Sequence, residues 1–410
     1  MLILWTKIRH FVEFLYFCNK NMSIMLEATR REANELFVLF SLLGKGEVVL
    51  GDALGKAVTE REKPRQQGGH EPNPQDEKAR RTVSITKIIR QENGQPYSYE
   101  IEEDTIRLSG PERDERFPRE DFQDAAAWLL QLLTERTQTE GESSTLDLTP
   151  LEPFLDALGI YTLKAQTYDR TDLHLVLWDS RNEALGVRIQ SRLCGFSPLL
   201  DGGRLANLKF EQTGVRFSSP AMHKINWTEE QDTVAAVARR ILYMQSLGAQ
   251  FKYSDVADKV FKSNLLMLDT NLPRILASML MTSHLDGISR IDLLTAAMEE
   301  KNPLKLKEEL VRNHGIYRYK MRQLLLALAW GMRPTTHFDG RSGSIGGYLM
   351  VDSQGRILLY SRADEQTFSD YLFTHTRLEK SSPEVDKYGI LERENGAFYL
   401  KLNLKIGLNP

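Results

Sequence analysis

The stretch from Thr171 to Leu193 limits most strongly what this chain can fold into. Its sequence is TDLHLVLWDSRNEALGVRIQSRL, in which apolar and polar residues alternate on both sides of a polar break. Alternation with a period of two is typical of a strand with one buried face. We therefore expect a β-hairpin that turns over Asp179–Asn182.

Polar side chains are concentrated where the two strands of this hairpin meet. Asp172 opens the first strand. Arg188, Gln190 and Arg192 share one face of the second strand, because side chains two positions apart point the same way. An ordinary hairpin with a solvated face and a turn-forming Asp shows the same pattern, so the hairpin alone does not decide between structure and chemistry.

The same spacing resembles the PD-(D/E)xK class of metal-dependent nucleases. In that class an Asp binds the metal ion, a second acid lies two residues before a Lys, and the Lys orients the attacking water. Here Asp172 matches the first position, Arg188 stands at that of the second acid, and Gln190 stands at that of the Lys. The spacing fits this class of nuclease, whereas two of the three residue types differ.

The bulk composition is that of an ordinary soluble protein, with 41% hydrophobic and 27% charged residues. The length of 410 residues is enough for two or three domains. A net charge of −3 does not indicate a nucleic-acid partner, because a phosphate-binding surface needs Lys and Arg. The two cysteines, Cys18 and Cys194, exclude a disulfide framework and suit a cytoplasmic protein.

Residues 1–29 form an N-terminal extension with an apolar beginning. Lys7, Arg9 and Glu13 interrupt the apolar run and no cleavage site follows, so we expect neither a signal peptide nor a membrane anchor. Met22 and Met25 lie just before the first well-patterned segment. We expect the extension to be an upstream stretch read from a misassigned start, or a loosely attached amphipathic helix.

Hydrophobic periodicity predicts helices and hairpins along the rest of the chain. A charged linker rich in Gln and Pro is predicted over Arg61–Arg81, and a short strand over Ile160–Lys164. The predicted helices cover Arg30–Leu43 with Gly44 as its end, Phe117–Leu133, Trp227–Leu247, Tyr253–Leu268, Leu272–Ser283, Ile291–Glu300, Tyr317–Trp330 and Glu365–Phe373. Further hairpins are predicted to turn at Asn93–Gly94, Ser353–Gly355 and Asn395–Gly396.

The segment from Lys301 to Arg341 carries positive charge that the whole-chain sum conceals. It holds nine basic and three acidic residues, which leaves a local charge of +6 with His neutral. Aromatic residues such as Tyr319 and Phe338 are interleaved with the bases. This composition is typical of a surface that follows a phosphate backbone, and a helix with a solvated basic face explains it as well.

Several separated stretches together resemble the HpaII-type restriction endonucleases. They match in order and spacing over nearly everything from about Arg30 to Leu408. The stretches are EANELFVLFSLLGKGEVVLGD, LGVRIQSRL, LANLKFEQTG, YRYKMRQLLLALAWGMRPTTHFDGRSGSIGGYLMV, FSDYLFTHTRLE and GAFYLKLNLKIGL.

This resemblance implies a bacterial, Mg²⁺-dependent enzyme that cuts double-stranded DNA at a short palindrome of the CCGG kind. It also implies a cognate cytosine methyltransferase that protects the host's own DNA at the same site. Asp172 takes the position of the metal-binding acid. Gln190, in RIQS, stands where relatives have the Lys of SIKS, and Arg188 stands where they have a small polar residue.

Recognition of G·C pairs needs donors for guanine and acceptors for the cytosine amino group in the major groove. The loop Arg333–Gly343 offers these types, although ordinary surface polarity explains the same residues. Its candidate base-reading side chains are Arg333, His337, Asp339 and Arg341. The other residues that we expect to contact DNA are Arg192, Lys209, Arg318, Lys320 and Arg322.

The expected fold class is α/β (α+β), with a restriction-endonuclease-like mixed β-sheet core flanked by helices and with helical and C-terminal β-hairpin additions. After the extension 1–29, the expected regions are an N-terminal α/β region (30–145), the nuclease core hairpin (146–225), a helical region (226–300) and a basic helix with a β-rich DNA-recognition region (301–410). A homodimer is an open alternative to a monomer.

Two other functions stay open at this stage. Arg188 and Gln190 also suit a catalytically impaired, sequence-specific DNA-binding protein of the same fold. The net charge of −3 suits a soluble protein with no nucleic-acid role. Incubation of unmethylated plasmid with the protein and Mg²⁺ separates an enzyme, which gives discrete fragments, from a binder, which gives only a gel shift.

Overall fold

The computed structural model describes residues 26–58, 81–92, 94–111, 113–135, 145–164, 169–178, 180, 183–227, 233–340 and 343–409. Most of the N-terminal extension and of the predicted linker Arg61–Arg81 lies outside the described residues, as does most of the predicted hairpin turn Asp179–Asn182. The described helices and strands confirm the predicted mixture of α and β structure.

The strands are mostly short. They are β1 (Glu27–Ala28), β2 (Glu47–Leu50), β3 (Thr82–Glu92), β4 (Gln95–Ile101), β5 (Thr105–Gly110), β6 (Arg113–Pro118), β7 (Leu146–Asp147), β8 (Leu173–Leu177), β9 (Ala184–Ser191), β10 (Leu200–Asp201), β11 (Asn207–Thr213), β12 (Gln250–Val256), β13 (Ile345–Val351), β14 (Ile357–Ser361), β15 (Thr376–Glu379), β16 (Leu391–Glu394), β17 (Ala397–Asn403) and β18 (Lys405–Leu408).

The helices are concentrated in the second half of the chain. They are α1 (Arg30–Lys45), α2 (Arg119–Thr134), α3 (Glu152–Ala157), α4 (Ser219–Asn226), α5 (Val234–Ser246), α6 (Lys259–Leu268), α7 (Leu272–Asp286), α8 (Ile291–Lys301), α9 (Glu308–Arg312), α10 (Ile316–Ala329), α11 (Glu365–His375) and α12 (Pro383–Asp386). Across the described part of the chain, no helix combines the length and apolar character that crossing a lipid bilayer requires.

The chain divides into two units. The first consists of residues 1–195 and 344–367, and the second of residues 196–343 and 368–410. The first unit contains a nine-stranded sheet in the order β2-β14-β13-β9-β8-β3-β4-β5-β6, in which β9 runs parallel to β13 and β2 parallel to β14. An additional pairing of β2 with β3 closes six of these strands into a ring. The central hairpin therefore lies inside the sheet and not at its edge.

Helices α1 and α2 cover one face of this sheet. The rings of Phe40, Phe122 and Phe154 pack edge-on or tilted, with centroids 5.3 to 5.9 Å apart. The apolar positions of the hairpin, such as Leu175 and Val187, belong to the same buried core. Because a one-residue slip would expose all of them, this packing fixes the register of the hairpin.

Helix α1 ends at Lys45, later than the end that the sequence predicted at Gly44. Thr29 and Glu32 form a capping box at its start, and Gly46, in the left-handed region with φ +67°, ends it. Gly44 lies inside the helix, where a Cβ atom would come within 2.8 Å of Gln123 Cγ. The prediction was wrong because this glycine serves close packing of α1 against α2.

The second unit contains two antiparallel sheets, in the orders β12-β11-β17-β16 and β10-β18-β15, together with the helices α4 to α10. The predicted helix Tyr253–Leu268 was wrong in its first part, because this part belongs to β12, and α6 begins only after the N-cap Asp258. The predicted helix Trp227–Leu247 was wrong at its start, because Trp227 caps the end of α4 and α5 begins at Val234.

Candidate active site

The hairpin of β8 and β9 holds the predicted catalytic residues in a fixed register. The two strands pair in antiparallel fashion, which confirms the predicted hairpin, and Leu173 lies opposite Val187 and His174 opposite Gly186. The other edge of β9 pairs in parallel with β13. Strand β9 is therefore hydrogen-bonded on both sides, which makes it a rigid support for Arg188 and Gln190.

Asp172 is bonded to β9 through both its backbone and its side chain. Its N–H donates to the carbonyl oxygen of Val187 at 2.8 Å. Its carboxylate oxygen Oδ2 accepts from the N–H of Ile189 at 2.6 Å. The side chain of Asp172 is thereby fixed at the backbone between Arg188 and Gln190, the two residues with which the sequence predicted it to act.

The electrostatic surroundings of Asp172 are positive. Burial raises the pKa of its carboxyl group, and the Ile189 N–H and the charges of Arg188, Arg31 and Lys164 oppose this rise. Burial of a carboxylate is unfavourable unless hydrogen bonds and opposite charges compensate for it. Basic side chains near one buried acid also form a suitable environment for a phosphate.

Arg188 and Gln190 differ in how their polar atoms are placed. Gln190 is only 1% exposed and lies opposite Met350 of β13. Arg188 is half-buried opposite Tyr348, and its buried Nε has no hydrogen-bond partner among the described residues. A buried N–H group without a partner is unfavourable by about 1–3 kcal/mol. An anionic ligand would remove this penalty.

The first turn of α1 is bonded to the chain that follows β9. The guanidinium of Arg30 donates to the carbonyl oxygen of Leu193, with Nη2 at 3.2 Å, and also to that of Leu133. Arg192 is exposed, and its N–H donates to Val351 at 2.9 Å. The bonds of Arg30 hold the start of α1, and with it Arg31, beside the end of β9.

Sequence reasoning missed Arg31, which lies far from Asp172 along the chain, and Lys164, which precedes Asp172 in the same part of the sequence. One signal for Arg31 was available in the sequence. The basic pair Arg30–Arg31 occupies the first turn of a predicted helix, where positive charge opposes the helix dipole. An unfavourable placement of this kind suggests that the side chains have another purpose.

The approach to β8 is fixed by a small polar cluster. Nε2 of His174 lies 2.9 Å from Oδ2 of Asp169, and the hydroxyl of Thr171 donates to Oδ1 of the same carboxylate at 2.7 Å. Arg170, between them, has a positive φ of 66°. These contacts hold the residues just before Asp172 in one conformation.

The oxygen donors on the hairpin fit Mg²⁺ that is shared with a substrate. Among the described residues, no group of three or more His, Cys, Asp or Glu side chains could hold a metal ion. Mg²⁺, however, usually binds through one or two carboxylates together with water and substrate phosphates. Asp172 could supply the carboxylate and Gln190 an amide oxygen, with the remaining ligands from DNA and water.

The predicted phosphate contacts of the second unit lie in ion pairs within that unit. Lys209 pairs with Glu394 and lies 3.9 Å above the ring of Tyr399. The other pairs are Lys320–Asp269, Arg318–Glu299 at 2.9 Å and Arg322–Asp370 at 2.7 Å. Arg318 keeps 55% of its side chain exposed, so it is the most accessible of these four bases.

The structure describes the predicted base-reading loop from Arg333 to Gly340 and again from Gly343. Arg333 is half-buried, and its Nη1 donates to the carbonyl oxygen of Leu199 at 3.2 Å. His337 and Asp339 are exposed. Arg341 lies outside the described residues. Two of the four predicted base-reading residues, His337 and Asp339, are therefore exposed on this loop.

Two comparisons with known proteins find similarity to the same group of restriction enzymes. The family model described as HpaII restriction endonuclease matches residues 68–408. A protein of Haemophilus parainfluenzae, the type II restriction enzyme HpaII, is 27% identical over 390 residues, which cover 94% of this chain and 99% of that protein. No solved structure matches the chain.

Proposed function

The chain belongs to the HpaII restriction endonuclease family and is a type II restriction enzyme that acts on double-stranded DNA, and from this premise we propose that it uses Mg²⁺ to cut a short palindrome of the CCGG kind. The observation that carries the proposal is the Asp172 carboxylate, bonded to the Ile189 N–H and influenced by the charges of Arg188, Arg31 and Lys164. One carboxylate beside several bases suits a phosphodiester and a divalent cation together.

Asp172 is proposed to be the hard oxygen ligand of the metal. The Ile189 N–H occupies Oδ2 and fixes the plane of the carboxylate, which prepares it for a ligand. When bound, Mg²⁺ would supply Lewis acidity at the scissile phosphate and promote the ionisation of water. Gln190, on the same strand, could orient the attacking water through its amide oxygen.

The positive charge that a Lys at position 190 would supply has to come from other residues. Gln190 is neutral, so it cannot stabilise the negative charge that grows on the phosphate in the transition state. Arg188 is the first candidate, because its buried Nε lacks a partner among the described residues and could donate to a phosphate oxygen. Arg31 and Lys164 add positive charge at the same carboxylate.

The DNA bases are proposed to be read by the loop that begins at Arg333. The carboxylate of Asp339 can accept from a cytosine amino group, and His337 can donate to guanine N7 or O6. Arg333 and Arg341 are the further donors of this proposal. Phosphates on either side would be bound by the basic residues predicted from the sequence, namely Arg192, Lys209, Arg318, Lys320 and Arg322.

The palindromic site also leads to proposals about partners. We propose that the enzyme acts in the cytoplasm of a bacterium, beside a cytosine methyltransferase that modifies the same site and protects the host's DNA. A palindrome has two-fold symmetry, and a homodimer with one active site per chain would match it.

Digestion of unmethylated plasmid DNA in the presence of Mg²⁺ tests this function. We expect discrete fragments from the native enzyme, whereas Asp172→Asn should lower the cleavage rate on the order of 100-fold or more and still shift the DNA in a gel. Asp114→Asn is the matched control, because Asp114 is an exposed carboxylate at the far edge of the same sheet, paired with Arg107. Cleavage retained by Asp172→Asn would remove Asp172 from the site, and a gel shift without any cutting by the native protein would indicate a binder.

A further inference from the structure

The side chain of Asn264 on α6 holds the middle of the base-reading loop. Asn264 is only 2% exposed. Its Nδ2 donates to the carbonyl oxygens of Arg333 and Thr336, both at 2.8 Å. Its Oδ1 accepts from the N–H of Phe338 at 2.9 Å. One buried amide therefore fixes the backbone at three positions of the segment 333–340, which we call the recognition loop.

Both ends of the recognition loop are held as well. At its start, Arg333 donates to Leu199, and Pro334 is buried against Gly202, where a Cβ atom would come within 2.5 Å of Pro334 Cγ. At its end, Gly340 has φ +76° and lies against Met267 of α6. The backbone is thus anchored at the beginning, the middle and the end of the loop.

Four polar side chains of the recognition loop, in contrast, are exposed to solvent. Thr335, Thr336, His337 and Asp339 are exposed. A backbone that is fixed from below while polar side chains project outward loses little conformational entropy when it binds a ligand. Recognition of base edges requires this kind of preorganisation, because donors and acceptors must meet fixed positions in the groove.

We propose that Asn264 is a positioning residue that sets the conformation in which the recognition loop reads DNA bases. The inference rests on the proposed function of this loop. Asn264 is buried and does not itself contact DNA; it acts through the backbone of residues 333 to 338. Its loss should therefore weaken discrimination between sequences and leave the non-specific attraction of DNA phosphates intact.

Two substitutions at Asn264 separate the effects of its donated and accepted hydrogen bonds. Asn264→Ala removes all three hydrogen bonds. Asn264→Asp keeps the size of the side chain and the acceptor for Phe338, but it loses both donors and places a carboxylate opposite two carbonyl oxygens. We expect both variants to release residues 333 to 336, and Asn264→Asp to leave the packing of α6 less disturbed.

Asn226 provides a matched control within the same unit. Its Nδ2 donates to the carbonyl oxygen of Leu391 and its Oδ1 accepts from the Leu391 N–H, each at 2.8 Å. The Asn226 side chain thus holds the backbone by the same kind of hydrogen bonds, but at Leu391, which lies outside the recognition loop. Asn226→Ala should therefore lower stability without changing the discrimination between DNA sequences.

The test is binding of a short duplex with a central CCGG and of the same duplex with one G·C pair replaced by A·T, in the absence of Mg²⁺. Every variant is measured below its own melting temperature, determined by circular dichroism. We expect the ratio of the two dissociation constants to fall on the order of tenfold in Asn264→Ala and Asn264→Asp. The affinity for the altered duplex and its salt dependence should stay at the native values, and Asn226→Ala should keep the native ratio.

A native ratio in Asn264→Asp, which keeps the volume of the site, would overturn the inference. His337→Ala and Asp339→Ala test the proposed function separately. If these two variants lower the ratio and the Asn264 variants do not, only the positioning role fails. If they also leave the ratio unchanged, the recognition loop does not read bases, and the proposed function of the loop fails with it.

Discussion

The proposed active site combines the half-buried carboxylate of Asp172 with basic side chains from separate parts of the chain. Arg188 comes from β9, Arg31 from α1, and Lys164 from the segment that follows α3. With Gln190 in the position of the expected Lys, at least one of these bases has to stabilise the transition state. The side chains of Lys164 and Arg31 are exposed, so they can reach a phosphate without first breaking a buried ion pair.

We expect Lys164→Ala and Arg31→Ala each to lower the single-turnover cleavage rate by about 10- to 100-fold, with little change in DNA affinity. The reason is that a charge at the reacting phosphate contributes more in the transition state than in the ground state. Lys45→Ala, which removes an exposed base at the other end of α1, is the control and should cleave normally. A loss of affinity at an unchanged rate would show that Lys164 and Arg31 only bind the DNA backbone.

We expect His284 of α7 to make the stability of the second unit sensitive to acid. It is 8% exposed, and its buried Nδ1 has no hydrogen-bond partner among the described residues. Burial, with a smaller contribution from Lys380, lowers the pKa of His284 from 6.5 to about 4. The folded protein therefore binds a proton at His284 only near pH 4, whereas the unfolded chain binds it near pH 6.5.

Below pH 6.5 the unfolded chain binds this proton and the folded chain does not, so stability is lost as the pH falls from 6.5 to about 4. The loss should approach about 3 kcal/mol. We expect His284→Gln to flatten this part of the curve when the free energy of unfolding is measured by urea titration at several pH values. His314→Gln, which changes an exposed histidine, should keep the native slope. If His284→Gln also keeps the native slope, other groups cause the acid sensitivity.

The position of Asp172 beside Arg188 and Gln190 was predictable from the sequence, because Asp172 opens the hairpin whose second strand carries these two residues. The catalytic role of the three residues stays a prediction. Arg31 and Lys164 were not predictable, because they approach Asp172 only through the packing of α1 and of the segment after α3 against the sheet. Asn264 was not predictable for the same reason, since its three hydrogen bonds join residues that are about seventy positions apart.

At the level of the elements, the strongest periodic patterns predicted the structure well. The β8–β9 hairpin, the hairpin of β13 and β14, and helices α7, α8 and α10 are present, because each has a clear apolar face. The predicted strand Ile160–Lys164 is wrong, since the described chain there forms no strand. The second strand of the hairpin predicted around Asn93–Gly94 was expected over Tyr97–Ile106, but this segment forms two strands, β4 and the start of β5, because the chain bends at 103–104.

The errors have a common physical cause. β12 alternates exposed and half-buried residues as a strand does, and the predicted helix wrongly began inside it at Tyr253, because α6 follows this strand closely. Gly44 is typical of a helix end, but its carbonyl oxygen accepts from Arg119 and Gln123 of α2, so tertiary contacts and not local preference explain the glycine. Local sequence specifies an element, whereas its boundary depends on partners that the local pattern does not contain.

For the molecule as a whole, the net charge of −3 is compatible with DNA cleavage because charge is distributed unevenly. In the second unit, Lys209, Lys320 and Arg322 are neutralised by acids of the same unit. In the first unit, Arg188 carries a buried Nε without a partner among the described residues, next to Asp172. Because these three proposed phosphate contacts are already paired with acids, we expect the salt dependence of binding to be modest for a DNA enzyme.

The symmetry of the proposed palindrome leads to a prediction about assembly. If each chain contributes one Asp172 site and a homodimer binds the two-fold symmetric sequence, each site cuts one strand. Co-expression of native chains with Asp172→Asn chains should then give mixed dimers that nick supercoiled plasmid without linearising it. Agarose electrophoresis separates the nicked, linear and supercoiled forms, and dimers of Asp172→Asn alone serve as the inactive control. If one chain cuts both strands instead, an inactive neighbour leaves the second cut unaffected. Linear product would then form in proportion to the native chains, and nicked plasmid would not accumulate.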